Sequence, residues 1–313
     1  MTVLDDVDDQ SNSQEREAAT KRSTWVSVVV NLFLTCFQVV AGWVSGSQGL
    51  VADGIHSLSD LIADFVVLLA VHHSKKAPDA DHHYGHQRYE TVASMVLGGL
   101  LLAVGVFMIW AAGQKLLAPE SIPIVHPLAL WVALGALVVK EGLFRYMLAV
   151  AERVRSSMLV ANAWHARSDA GSSLVVAIGI GGNLLGFPFL DPIAALIVGF
   201  LVGKIGWSFL WDALHDLSDR AVSAEQVAAL ADDILATPGV LGYHDLKTRK
   251  TGDLMLVDVH LDIDGRLTVR EGHDIALRVR QQVMQRHPVL NLMTHVDPVI
   301  GPRHLLDDTS TAP

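Results

Sequence analysis

Cysteine is nearly missing from this chain of 313 residues: it has one, Cys36. A lone thiol excludes an internal disulfide and any metal site built from several thiolates. Lying within an apolar run, Cys36 reads as a small hydrophobic packing residue. Charge is scarce too, at 18% of residues, where a soluble domain carries about a quarter. The balance is acidic, with 23 Lys and Arg against 33 Asp and Glu and a formal net charge of −10, which argues against a nucleic-acid partner. Aromatics are few, at 6%, a composition that suits helical spans more than a barrel. No apolar h-region follows the first residues, so no signal peptide is read. The chain also shows no nucleophile–base set and no phosphate-binding loop, so enzyme chemistry is not expected and no catalytic residue is assigned.

Apolar sequence is what the chain has in quantity, at 51% of residues. A crossing helix needs about 20 mostly apolar residues. Six stretches qualify, at roughly 25–44, 50–71, 91–112, 128–150, 161–185 and 193–210. The expected fold class is therefore a membrane α-helical domain of six transmembrane helices over 23–213. It follows a polar, acidic tail at 1–22 that reads as disordered and cytoplasmic. Lys21, Arg22, Lys75, Lys76, Arg88, Arg153 and Arg155 fall in or beside one set of loops. The opposite loops around 45–49 and 186–192 have no Lys or Arg, and the loop after the third span has only Lys115 near its edge. Both termini are thus expected in the cytoplasm. Gly182 with Gly186 and Gly199 with Gly203 form small-residue pairs that let helices approach closely. Lys140, Glu141 and Arg145 sit late in the fourth span and read as a snorkelling group with an i,i+4 Arg–Glu pair.

Beyond Asp219 the pattern becomes that of a small α+β domain at 214–300. Ser223 with Gln226, and Thr268 with Glu271, are capping boxes that open two helices. Two strands pair around Thr251-Gly252, and Val257, Val259, Leu261 and Ile263 alternate with polar residues. A last strand begins at Val289. The order α-β-β-α-β predicts a ferredoxin-like cytoplasmic layer of two helices on three strands, ending in a disordered tail at 301–313.

Ionisable residues inside spans carry the functional signal, because a charge in lipid is costly. His56 and Asp60 lie four apart in the second span, and His165 and Asp169 repeat that spacing in the fifth. Each pair shares a helix face, and together they offer two imidazoles and two carboxylates, enough to close a tetrahedral Zn²⁺ site. Asp53 shares the face of His56, as a partner that orients it or as an inert residue near the loop. Asp64 is placed to line the cytoplasmic approach. Asp79, His82 and His86, in the loop after the second span, have metal-ligand spacing. His244, His260, His273, His295 and Asp297 are too far apart in sequence for spacing to join them. His287, before Pro288, reads as a helix-terminus residue.

These residues resemble the cation diffusion facilitator family, in its bacterial zinc and iron efflux branch, over nearly the whole chain. The marks are HSLSD in span two, DADHHYGHQRYET after it, HARSD in span five, DLSDR after span six and THVDP near the end. The resemblance implies a homodimer in the lipid bilayer of the bacterial inner membrane. It implies a transport site at His56, Asp60, His165 and Asp169, and a loop site at Asp79, His82 and His86. It further implies a C-terminal binuclear site at His244, His260, His273, His295 and Asp297, and a basic–acidic pair, Arg88 and Asp219, at the dimer junction. The best-studied bacterial branch has Asp at the position of His56, so the present chain resembles zinc-selective members more than iron exporters. The expected activity is Zn²⁺/H⁺ antiport, with divalent metal as substrate and regulator and protons as counter-ion. Alternatives are a Cd, Fe, Co or Ni exporter of the same kind, a passive divalent channel, or a membrane-anchored metal-sensing scaffold that moves nothing.

Overall fold

The structure, a computed structural model, describes residues 3–74, 76–153 and 157–300. Lys75, Arg155 and the tail expected at 301–313 lie outside the described residues, as do the side chains of 1–21 and of Asp64. The chain forms two compact units, one of 1–68 with 96–210 and one of 69–95 with 211–313.

Six long helices supply the first unit: α1 (Val3–Ser45), α2 (Gln48–Ser74), α3 (Arg88–Leu117), α4 (Leu128–Arg153), α5 (Ser157–Leu184) and α6 (Leu190–Leu217), with 69–74, 88–95 and 211–217 of them counted in the second. By length and composition, Arg22–Ser45, α3 and α6 are apolar enough to cross a membrane. The other three, α2, α4 and α5, match them in length at 27, 26 and 28 residues, and their polar residues lower their hydropathy. Trp25, Phe33, Phe37, Phe107, Trp110, Trp131 and Val138 point outward, a surface made for lipid and not for water. The interior holds Leu50, Leu97, Leu101, Val132, Val176, Ile180 and Val198. A smaller cluster of Leu143, Phe144, Met147 and Ala163 joins α4 to α5. α1 is continuous from Val3, where the polar composition at 1–22 points to disorder. The segment holds no Pro or Gly and several good helix formers, so the helix begun in the apolar span propagates through it.

Glycine permits a close approach between α3 and α6. A Cβ on Gly105 would lie 2.5 Å from the backbone nitrogen of Gly203, and 2.8 Å from the carbonyl of Gly199. The glycine pair read from the sequence therefore meets a third glycine on another helix. Gly105→Ala is expected to force the helices apart at a cost of about 1–3 kcal/mol. A lower melting temperature in detergent checks this, against Gly113→Ala, whose new methyl would meet nothing within 4 Å.

In the second unit, helix α7 (Ala224–Leu235) and helix α8 (Val269–Arg286) accompany strands β1 (Gly242–Thr251), β2 (Leu254–Asp264) and β3 (Val289–Val299). Both capping boxes form, Ser223 with Gln226 and Thr268 with Glu271. Gly252, at φ +60°, closes the turn between β1 and β2. The sheet order is β1-β2-β3, with β1 and β2 antiparallel and β2 and β3 parallel across the α8 connection. Val257, Val259, Leu261 and Ile263 of β2 meet Ile275, Val279 and Val283 of α8 and Leu230 and Ile234 of α7 in the core. The alternate side chains of β2, including His260 and Asp262, fall on the opposite face.

Candidate metal centres

Helical spacing places His56 and Asp60 on one face of α2, one turn apart, with His56 Nδ1 3.6 Å from Asp60 Oδ2. Packing of α5 adds Asp169, so that one ligand atom from each of these three residues lies within 4.8 Å of the others. His56 is buried, while Asp60 and Asp169 are half-buried. His165, one turn before Asp169 on α5, is exposed and stands outside this group.

Asp53 is fully buried one turn before His56. Its Oδ1 accepts from Ser172 Oγ at 2.9 Å, and its Oδ2 accepts from Ser173 Oγ at 2.6 Å and Gln38 Nε2 at 2.5 Å. Lys140 Nζ lies 3.4 Å from both carboxylate oxygens and donates to Ser173 Oγ at 2.7 Å. Snorkelling does not describe Lys140, which is 3% exposed. It sits near the middle of α4, about 18 Å from the nearer end at 1.5 Å per residue, beyond the reach of a lysine stem. Glu141 and Arg145 do form the expected pair, at 2.9 Å. Lys140, Ser172 and Ser173 were missed as a group. The signal that finds them is the rule that a mid-span cation needs a named anion.

The loop site assembles around Asp79. Its Oδ1 accepts the backbone N–H of Asp81 at 3.1 Å and of His82 at 2.9 Å, which folds the loop back on itself. His82 Nδ1 lies 3.3 Å from Oδ1, and His86 Nε2 lies 3.5 Å from Oδ2. His86 is buried and stacks on Tyr89. Lys76 Nζ bonds Oδ2 at 2.7 Å, and this bond, with the two backbone donors, holds the Asp79 carboxyl below the usual carboxylate range. A metal ion binding here would meet an ionised carboxylate and compete with Lys76 for one of its oxygens.

Strand register builds the third cluster. His244 stands directly opposite His260, and His260 directly opposite His295, in a row across the sheet. Asp297, two residues after His295, receives all three: His260 Nδ1 is 2.8 Å and His244 Nε2 3.2 Å from Oδ2, and His295 Nε2 is 3.4 Å from Oδ1. Partial burial works to raise the Asp297 carboxyl, and the bond from His260 with the neighbouring imidazoles outweighs it, so the pKa is lowered. Asp262 was missed by sequence reasoning. It lies 3.3 Å from His244 Nδ1, opposite Gly242 and Asp297 in the register, and is placed to orient that imidazole. His273 is exposed on α8, whose buried face packs on the other side of the sheet, so a single chain does not bring it to this row. His287 ends α8 as expected, bonded to Asp233 at 2.7 Å.

Arg88, the first residue of α3, pairs with Asp219 in the same chain. Arg249 Nη1 lies 3.7 Å from the second oxygen, an addition the sequence did not suggest. Asp219 holds the left-handed conformation (φ 58°) that ends the turn after α6, a conformation Asp tolerates better than most residues.

Two family models match this chain: residues 24–218 match a cation efflux transmembrane domain, and residues 222–299 match a cation efflux protein cytoplasmic domain. Metal tolerance protein C1 of Arabidopsis thaliana is 34% identical over 288 residues, covering 87% of this chain and 61% of that protein. The chain thus spans 61% of the length of that relative. Manganese efflux system protein MneS of Bacillus subtilis is 30% identical, covering 88% of this chain and 94% of that protein. Magnetosome protein MamB of Paramagnetospirillum magneticum is 31% identical, with 84% and 89% covered.

Proposed function

The chain belongs to the cation diffusion facilitator (cation efflux) family of transporters, and from that premise we propose that this integral membrane protein exports Zn²⁺ from the cytoplasm in exchange for protons. The observation that carries the reading is the convergence of His56, Asp60 and Asp169 within otherwise apolar helices. Two carboxylates balance the charge of a dication, which makes its stay between helices affordable in free energy. His165 supplies the fourth ligand as α2 and α5 close on the ion. Metal binds while the imidazoles are neutral. On the far side an imidazole takes a proton, the site weakens, and metal leaves. Imidazole suits that exchange because its ordinary pKa, about 6.5, lies near physiological pH. Rocking of helix groups about the site gives access to each side in turn.

In this reading the inner membrane of a bacterium holds the protein as a homodimer with both termini in the cytoplasm. The loop site captures metal, and the His244, His260, His295 and Asp297 cluster senses it. His273 joins that cluster only in the assembled dimer. The Arg88–Asp219 pair steadies the junction.

Manganese is a second reading, favoured by the oxygen-rich make-up of the assembled group, one imidazole against two carboxylates. Flux into proteoliposomes under an imposed pH gradient tests both. Zinc flux that follows the gradient supports the first reading, and manganese flux exceeding zinc overturns it in favour of the second. Flux of either metal that ignores the gradient points to a channel, and no flux with bound metal points to a sensing scaffold. His56→Asp adds a third carboxylate and is expected to shift relative preference from Zn²⁺ toward the more oxygen-preferring Mn²⁺ and Fe²⁺, on the order of tenfold. An unchanged metal profile would remove His56 as the selectivity element.

A further inference from the structure

The cluster around Asp53 lies entirely to one side of the candidate transport site. Asp53 precedes His56 and Asp60 on α2, and Ser172 and Ser173 follow Asp169 on α5. Both displacements run toward the same end, the one with the 45–49 and 186–192 loops that carry no Lys or Arg. Burial is uneven about the site. On this side Gln38, Asp53 and Ser173 are 0% exposed, Lys140 3% and Ser172 4%. At the site itself the Asp60 side chain is 25% exposed, and His165 beyond it is exposed. The groups on this side are thus the most deeply buried polar groups around the site.

What fills this side is a tethered cation. Lys140 of α4 bridges Asp53 of α2 and Ser173 of α5, and Gln38 of α1 completes the cluster, so four helices meet there. Lys140 Nζ also reaches the main-chain oxygen of Asp169 at 3.5 Å. A buried ion pair is weak support for stability, since two apolar residues of similar volume often do as well. Its distinguishing property is electrostatic. The ammonium largely cancels the charge of the Asp53 carboxylate 3.4 Å away, so the network offers a dication no net attraction, and the partners of Lys140 hold it in place. In the same cluster Gln38 Oε1 of α1 is buried without a hydrogen-bond partner among the described residues.

We propose that the Lys140–Asp53–Ser172–Ser173 network is the outer seal of the transport path: the lysine ammonium closes the route from the metal site to the external side, and metal leaves only when the network parts. This rests on the exporter reading above. Lys140 acts here as a positioning and barrier residue and not as a metal ligand.

The test is Zn²⁺ leak in proteoliposomes holding the full-length chain, measured with no pH gradient and compared with gradient-driven flux. Lys140→Ala is expected to raise the gradient-independent leak at least tenfold over wild type and to erode coupling. A merely structural lysine would lower folded yield and driven flux with no leak. Folded Lys140→Ala protein with wild-type leak overturns the proposal. Should that variant fail to fold, Ser173→Ala removes only the hydroxyl between Lys140 and Asp53; a severalfold rise in leak supports the seal, and unchanged leak overturns it. Wild-type protein with no driven flux would instead remove the exporter reading, and the seal with it, so the two failures are read from different samples.

Discussion

Asp169→Ala is expected to lower metal flux by at least about 100-fold while leaving the protein folded, the lower bound being what loss of even an outer partner of a metal ligand costs. Asp169 supplies one of the two carboxylates in the assembled group, and its removal leaves Asp60 alone to balance a dication. The fold survives for a specific reason. The bonds that Ser172 Oγ at 2.8 Å and Lys140 Nζ at 3.5 Å make to this residue go to its main-chain oxygen, which alanine keeps. The measurement is zinc uptake under an imposed pH gradient, with elution profile and melting temperature as controls for folding. Retained flux in a folded variant would refute the transport site.

Asp297→Ala is expected to weaken zinc binding at the C-terminal cluster by about 100-fold or more. One carboxylate there meets three imidazoles, so a single change removes the group they share. The domain should still fold, because its core of Val257, Val259, Leu261, Ile275 and Val279 lies on the other face of the sheet. Calorimetric titration of the full-length protein reads the loss as a missing tight-binding step. Binding unchanged in the variant would refute the cluster. The pH dependence follows from the lowered pKa of Asp297. A carboxylate with a lowered folded pKa contributes stability that is fully present above its unfolded value, about 3.9, and is lost as pH falls through the folded value. Asp297 is thus ionised throughout the physiological range. Protonation of this carboxylate therefore does not set metal release within the physiological range.

Sequence alone determined much of what depends on neighbours a few residues away, the helical start of α1 at Val3 being an exception. Apolar runs set six long helices, and capping boxes at Ser223 and Thr268 fixed the starts of α7 and α8. Gly252 marked the β1–β2 turn, and i,i+4 spacing put His56 beside Asp60. The Asp79 loop was legible for the same reason, since its ligands lie within one turn of chain. Local backbone geometry and local hydrogen bonds decide such features, and both are written in consecutive residues. Tertiary structure decided which distant residues meet. Parallel pairing of β2 with β3 aligned His260 with His295, while a slip of one residue would have turned either to the opposite face. Helix packing brought Asp169 to His56 and left His165 outside, and it seated Gly105 against Gly203. It also buried Lys140 against Asp53, 87 residues away, where the sequence suggested only a lysine near a membrane surface. Such contacts are set by how whole helices and strands rotate and slide to fill a core, a sum over many side chains that no short segment contains.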